Sequence, residues 1–183
     1  MRYLVVATLA SACATAGEDR PVDAPGSDTF LPRDASIDAP VDLCPTTDTC
    51  QAATMLGMVS GDTGSQKVTA MGFRAAWFRV RVTEDDSSVI GKALHITAKL
   101  TSPANVNFDV FLYVNAGSDV IECATTTGTI THNGALDTNT ATWGEGSVAN
   151  GSDDGRSVSV EIRPITGACS AGQTWQLEID GNT

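Results

Sequence analysis

Basic residues, histidines and aromatic rings are all scarce in this chain, and no long apolar run occurs in it. Eleven Lys and Arg stand against 22 Asp and Glu in 183 residues, a net charge of -11. Gripping a phosphate backbone takes clustered cations that displace counterions, so no nucleic-acid partner is expected. His95 and His132 are the two histidines, and neither has a nucleophile partner at a recognisable spacing. The sequence also lacks GxSxG, HExxH and a phosphate-cradling glycine loop. It holds no CxxC pair and no histidine at ligand spacing from a cysteine, which argues against zinc. The longest apolar stretch, Tyr3 to Ala12, falls well short of the roughly 20 residues of a membrane-spanning helix. The length suits one domain with a tail.

That apolar stretch instead has the form of an export leader. Residues 1–16 run from the basic Arg2 through the apolar segment to small residues. Leu9, Ala10, Ser11, Ala12 and Cys13 are similar to a bacterial lipobox, with Leu9 one position early. This makes Cys13 the candidate lipidation site and the membrane a partner. Ordinary cleavage after Ala14, Thr15 and Ala16 is the competing reading, giving a soluble extracellular product.

Residues 17–49 are read as an acidic linker. Pro21, Pro25, Pro32, Pro40 and Pro45 lie here, with eight acids between Glu18 and Asp48 against Arg20 and Arg33. Asp-Ala-Pro occurs twice, at Asp23 to Pro25 and Asp38 to Pro40. Proline removes donors and like charges repel, so the segment is expected to stay extended and solvated as a tether. About half of the net negative charge belongs to it.

The four cysteines after the leader, Cys44, Cys50, Cys123 and Cys169, are an even set, as disulfides in an oxidising compartment require. Three pairings exist. The expected one joins Cys44 to Cys50 and Cys123 to Cys169.

Residues 50–183 alternate with period two. Phe78, Val80 and Val82 oppose Arg79 and Arg81; Leu94, Ile96, Ala98 and Leu100 oppose His95, Thr97 and Lys99. Val106 to Val114, Val158 to Ile162 and Trp175 to Ile179 repeat the pattern. Weaker strands are expected at Lys67 to Met71, Val120 to Ala124 and Asn139 to Gly144, with a turn at Gly57 to Ser65. Such alternation marks strands half-buried against a second layer. The expected fold is all-β, a β-sandwich of seven or eight antiparallel strands.

Gly61-Asp62-Thr63, Ala76 to Val80, Leu94 to Ser102 and Phe108 to Tyr113 carry a family resemblance. Over roughly Gly57 to Ile179 the chain resembles the bacterial pre-peptidase C-terminal (PPC-like) domain. The resemblance implies a jelly-roll-like β-sandwich that serves as a non-catalytic accessory or adhesion module, binding carbohydrate or protein. These 183 residues carry no accompanying catalytic domain. The leader and linker resemble those of surface lipoproteins of predatory or soil Gram-negative bacteria.

Candidate site residues follow from residue chemistry. Trp77, Phe111, Tyr113 and Trp143 are the aromatic candidates for ligand binding. Asp62, Asp109, Asp153 and Asp154 are the candidate oxygen ligands, for calcium. No local cluster supplies the six to eight oxygens that calcium takes, so no cofactor is expected. The function expected is an exported, lipid-anchored, non-catalytic module at the bacterial cell surface, either in the outer membrane or extracellular, with a polysaccharide or surface protein as partner. The alternative is a small secreted hydrolase, or a calcium-binding accessory of a secreted enzyme system.

Overall fold

The computed structural model describes residues 44, 46, 48–145 and 150–182. The leader, Cys13 and nearly all of the linker lie outside the described residues. Those described fall in one unit, Val41–Thr183. A one-turn 3-10 helix, Cys50–Ala52, capped by the Thr49 hydroxyl, leads into nine strands. They are β1 (Thr54–Ser60), β2 (Lys67–Gly72), β3 (Ala76–Thr83), β4 (Leu94–Thr101), β5 (Asn107–Tyr113), β6 (Thr129–Asn133), β7 (Leu136–Trp143), β8 (Arg156–Thr166) and β9 (Trp175–Gly181).

Two sheets result: a four-stranded one in the order β1-β3-β8-β5, and a five-stranded one in the order β2-β9-β4-β7-β6. They form a β-sandwich with no closed barrel. The alternation explains the layering. Phe78, Val80 and Val82 of β3, Val158, Val160 and Ile162 of β8, and Phe108, Val110 and Leu112 of β5 are buried from one side. Leu94, Ile96, Ala98 and Leu100 of β4, with Trp175, Leu177 and Ile179 of β9, are buried from the other. Phe78 and Trp175 meet edge to face across this core, with centroids 5.9 Å apart. The Trp175 indole N–H, buried with its ring, donates to the Arg74 carbonyl at 2.9 Å.

Several expectations need correction. The described residues form nine strands, and not all are antiparallel: β1 runs parallel to β3. β1 occupies the first part of the expected Gly57–Ser65 turn. Its register shifts between Met55 and Gly57, where Gly57 adopts φ +134°, a conformation open to glycine. Val120 to Ala124 is not a strand; Val120 and Ile121 are exposed, and the Glu122 carboxylate accepts the N–H groups of Cys123, Ala124 and Thr125. β6 lies in a Thr-rich stretch with no apolar alternation to mark it.

The disulfide pairing is also different. Cys44 bonds to Cys169 and Cys50 to Cys123. The 3-10 turn sets Cys50 beside the 122–123 loop, Cα 5.9 Å from Cys123, while Cys44 reaches the loop before β9, Cα 5.2 Å from Cys169. Spatial distance decides the pairing, and here it favours partners remote in sequence. Cys44, inside the segment read as linker, is thereby tied to the sandwich.

Candidate functional site

Three polar or aromatic constellations stand out, and each is placed by sheet register. The first covers the outer face of the four-stranded sheet. β8 lies between β3 and β5, so Glu161 has Trp77 on one side and Phe111 on the other. Trp77 and Tyr113 reach across it, ring centroids 5.2 Å apart. Tyr113 donates its phenol hydrogen to Glu161 Oε2 at 2.5 Å and accepts from Arg163 at 3.2 Å. The Arg163 guanidinium sits 4.3 Å from the Phe111 ring centroid, a cation–π contact. Burial first, and the bond to Glu161 second, push the Tyr113 phenol up to about 12.

This arrangement sorts the aromatic candidates. Trp77 and Phe111 are half-buried. Tyr113 is 3% exposed, so its ring is packing material and its hydroxyl is spent on Glu161 and Arg163. Trp143 is a core residue, a correction to its place among the ligand-facing rings: β7 turns it inward, and its indole N–H donates to the Asp154 carbonyl at 2.9 Å. Among the described residues there is no clear catalytic cluster and no aromatic active-site cluster. His95 Nδ1 meets the Thr142 hydroxyl at 3.0 Å on the outer face of the five-stranded sheet.

The second constellation lies where the β5 margin meets β6 and β7. His132 and Asp137 face each other directly across the β6–β7 hairpin, whose tight turn is permitted by Gly134 at φ +64°. His132 Nδ1 is 3.1 Å from Asp137 Oδ1 and 3.6 Å from Asp109 Oδ1, so one imidazole touches carboxylates from both sheets. Burial, then the neighbouring Asp109 carboxylate, raises Asp137 above the usual carboxylate range, with His132 acting the other way.

The four expected oxygen ligands do not form a set, which corrects the calcium grouping. Asp62 accepts the N–H groups of Asp85 and Asp86 and the Ser60 hydroxyl, holding the corner after β1 to the end of β3. Asp153 accepts from Gly155, and Asp154 accepts from Glu145 and pairs with Arg156 at 3.0 Å. Asp109 alone joins a group of convergent ligands, and its companions His132 and Asp137 come from other strands. No linear spacing marks Asp137, and none places His132 beside a carboxylate from another strand. A hairpin signal was present, in Asn133-Gly134 between the two.

The third constellation is an open groove of about 590 Å³ across the outer face of the five-stranded sheet. Met71 and Leu136 stand at its margins, both exposed, and Thr69, Thr101, Lys99, Gln176 and Glu178 supply hydrogen-bonding groups. Further along β9, outside the groove lining, Asp180 is paired with Lys67 at 3.0 Å and with the lining Lys99 at 2.8 Å.

No family model matches the sequence, and no curated protein matches it. Among solved structures, the chain is similar to the pre-peptidase C-terminal domain of collagenase from Bacillus anthracis, with a TM-score of 0.34 and 11% identity. The alignment covers 69% of this chain and 93% of that one. This is a weak, low-identity structural match to a PPC-like domain.

Proposed function

We propose that this chain is an exported, non-catalytic β-sandwich module. It is held at the bacterial cell surface by lipid on Cys13 and by the acidic linker, and binds an envelope polysaccharide or surface protein. The observation that carries the reading is the pairing of all four cysteines after the leader into two long-range disulfides. Such bonds persist in oxidising compartments outside the cytoplasm. The groove on the five-stranded sheet supplies the binding face. It offers amide, hydroxyl, ammonium and carboxylate groups beside exposed Met71 and Leu136, the mixture by which polar chains are oriented in open sites.

The test combines mass spectrometry of the native protein with binding to isolated envelope material and a glycan array. The expected N-terminus is a diacylglyceryl-modified Cys13; an unmodified start at Gly17 overturns the anchor. Binding is expected to fall at least about tenfold with Gln176→Ala and Met71→Asp combined, the loss of a few contacts in a shallow site. Binding that survives those changes but is lost with Trp77→Ala moves the site to the opposite sheet. No binding to envelope material or glycans removes the binding role.

A further inference from the structure

Where the β5 margin meets the β6–β7 hairpin, two carboxylates and an imidazole converge with their charges and lone pairs incompletely satisfied. Asp137 has a side chain only 2% exposed. Its Oδ1 lies against His132, but its Oδ2 is buried and has no hydrogen-bond partner. A buried carboxylate oxygen without a donor is costly, and natural structures seldom leave one so. Asp109 stands beside it, receiving one hydrogen bond from the Asn107 amide at 3.2 Å. Arg163, the register partner of Asp109 on β8, points elsewhere, toward Glu161 and Tyr113. The two acids therefore face one another with His132 as the one cationic partner among the described residues, and that only when it is protonated.

We propose that Asp109, His132 and Asp137 form a binding site for a divalent first-row transition-metal ion, with zinc as the best fit. The ligand atoms of the three residues lie within 4.8 Å of one another. Tetrahedral zinc holds nitrogen and oxygen ligands at about 2.0–2.1 Å, which puts ligand atoms about 3.3 Å apart. The separations of 3.1 and 3.6 Å from His132 Nδ1 bracket that value. The ligand set also selects the ion. Imidazole nitrogen with two carboxylates suits zinc and its neighbours, whereas calcium takes six to eight oxygens and magnesium keeps a near-octahedral oxygen shell. A dication balances both carboxylates, including the buried one of Asp137, whose Oδ2 has no donor. His132 is 52% exposed, so an ion enters from solvent and its fourth position faces water.

The site also has a structural consequence. Asp109 belongs to the four-stranded sheet, and His132 and Asp137 to the five-stranded one, so a bound ion clasps the two sheets at a margin that no disulfide spans.

The experiment is isothermal titration of zinc chloride into the full, disulfide-intact chain after treatment with a chelator, repeated with cobalt chloride to read tetrahedral coordination by visible absorption. One ion per chain is expected, with a rise in melting temperature. Asp137→Asn and His132→Ala are each expected to weaken binding at least about tenfold, since even outer-sphere partners matter by that much. Asp153→Asn, remote from the cluster, is expected to leave it unchanged. His132 is exposed, so His132→Ala keeps the test valid if the buried Asp137 variant folds poorly. Absence of saturable binding, or binding that survives His132→Ala, overturns the site.

Discussion

The phenol of Tyr113 donates to Oε2 of Glu161 across 2.5 Å, beneath a tryptophan and beside an arginine, on the nominally outer face of a sheet. The outer face is thus locally closed at Tyr113, and the phenol is held in its neutral form. Its value of about 12 follows from burial first and the carboxylate second. An acid whose folded value is raised gives stability that is complete below its unfolded value, near 10. That stability is lost as pH climbs through 12. Absorbance titration of the phenolates should show one group ionising near pH 12, abolished by Tyr113→Phe. Ionisation of Tyr113 at the value of an exposed phenol would show that the Glu161 contact does not persist in solution.

Reduction should cost this protein most of its stability. The disulfides span separations of 125 and 73 residues, and in the chain-entropy model each is worth about 4–5 kcal/mol. The two loops are nested, so their effects should not add. Cys50→Ser with Cys123→Ser is expected to lower the unfolding free energy by about 2–5 kcal/mol in denaturant titration. A non-reducing peptide map should join Cys44 to Cys169, and a peptide joining Cys44 to Cys50 would contradict the arrangement.

Gly181 ends β9 against the backbone of β1, and no larger residue fits there. A Cβ at that position would lie 1.9 Å from the Ser60 carbonyl oxygen. Since backbone cannot rotate away as a side-chain tip can, Gly181→Ala should cost about 3 kcal/mol or more. Gly172, in the loop before β9, has nothing within 4 Å of the same position, so Gly172→Ala should change stability by less than about 0.5 kcal/mol. Thermal melts of the pair check the contrast; equal melting temperatures would rule out the close β1–β9 approach.

Legibility in the sequence tracks how regularly a strand alternates. β3, β4, β8 and β9 show buried apolar residues at every second position, and the two-layer sandwich follows from them. β1 was hidden because its outer positions are Met55 and Met58, its alternation is broken at Gly57, and its pairing is parallel. β6 is an edge strand with Ile130 as its one aliphatic residue, so period two has nothing to act on. Val120 and Ile121 misled in the opposite sense, being apolar residues in a loop pinned by Cys50–Cys123. The Asp109, His132 and Asp137 cluster was invisible for a different reason. Its members come from three strands in two sheets, and no linear spacing encodes the approach of one sheet margin to the other.

Asp180 is the acid whose protonation should loosen the five-stranded sheet. Its side chain is 3% exposed, and the half-exposed Lys67 and Lys99 both reach it. Burial works to raise its pKa, but the hydrogen bonds from Lys99 and then Lys67 outweigh it, and the net direction is downward from 3.8. A lowered folded value means that the stabilisation is present above the unfolded value, near 4, and disappears as pH falls through the folded one. Asp180→Asn removes the charge while keeping the shape, and Lys67 retains Glu178 at 2.9 Å. The variant is expected to lose about 1–3 kcal/mol at pH 7, at the lower end for a charge pair because both lysines remain hydrated. Between pH 4 and the folded value, its stability should fall less steeply with acid than that of the parent chain. Denaturant titrations at pH 7, 4 and 2.5 read both quantities. Parallel losses for the two proteins across that interval would mean that the Asp180 lysine bridges contribute nothing to acid stability.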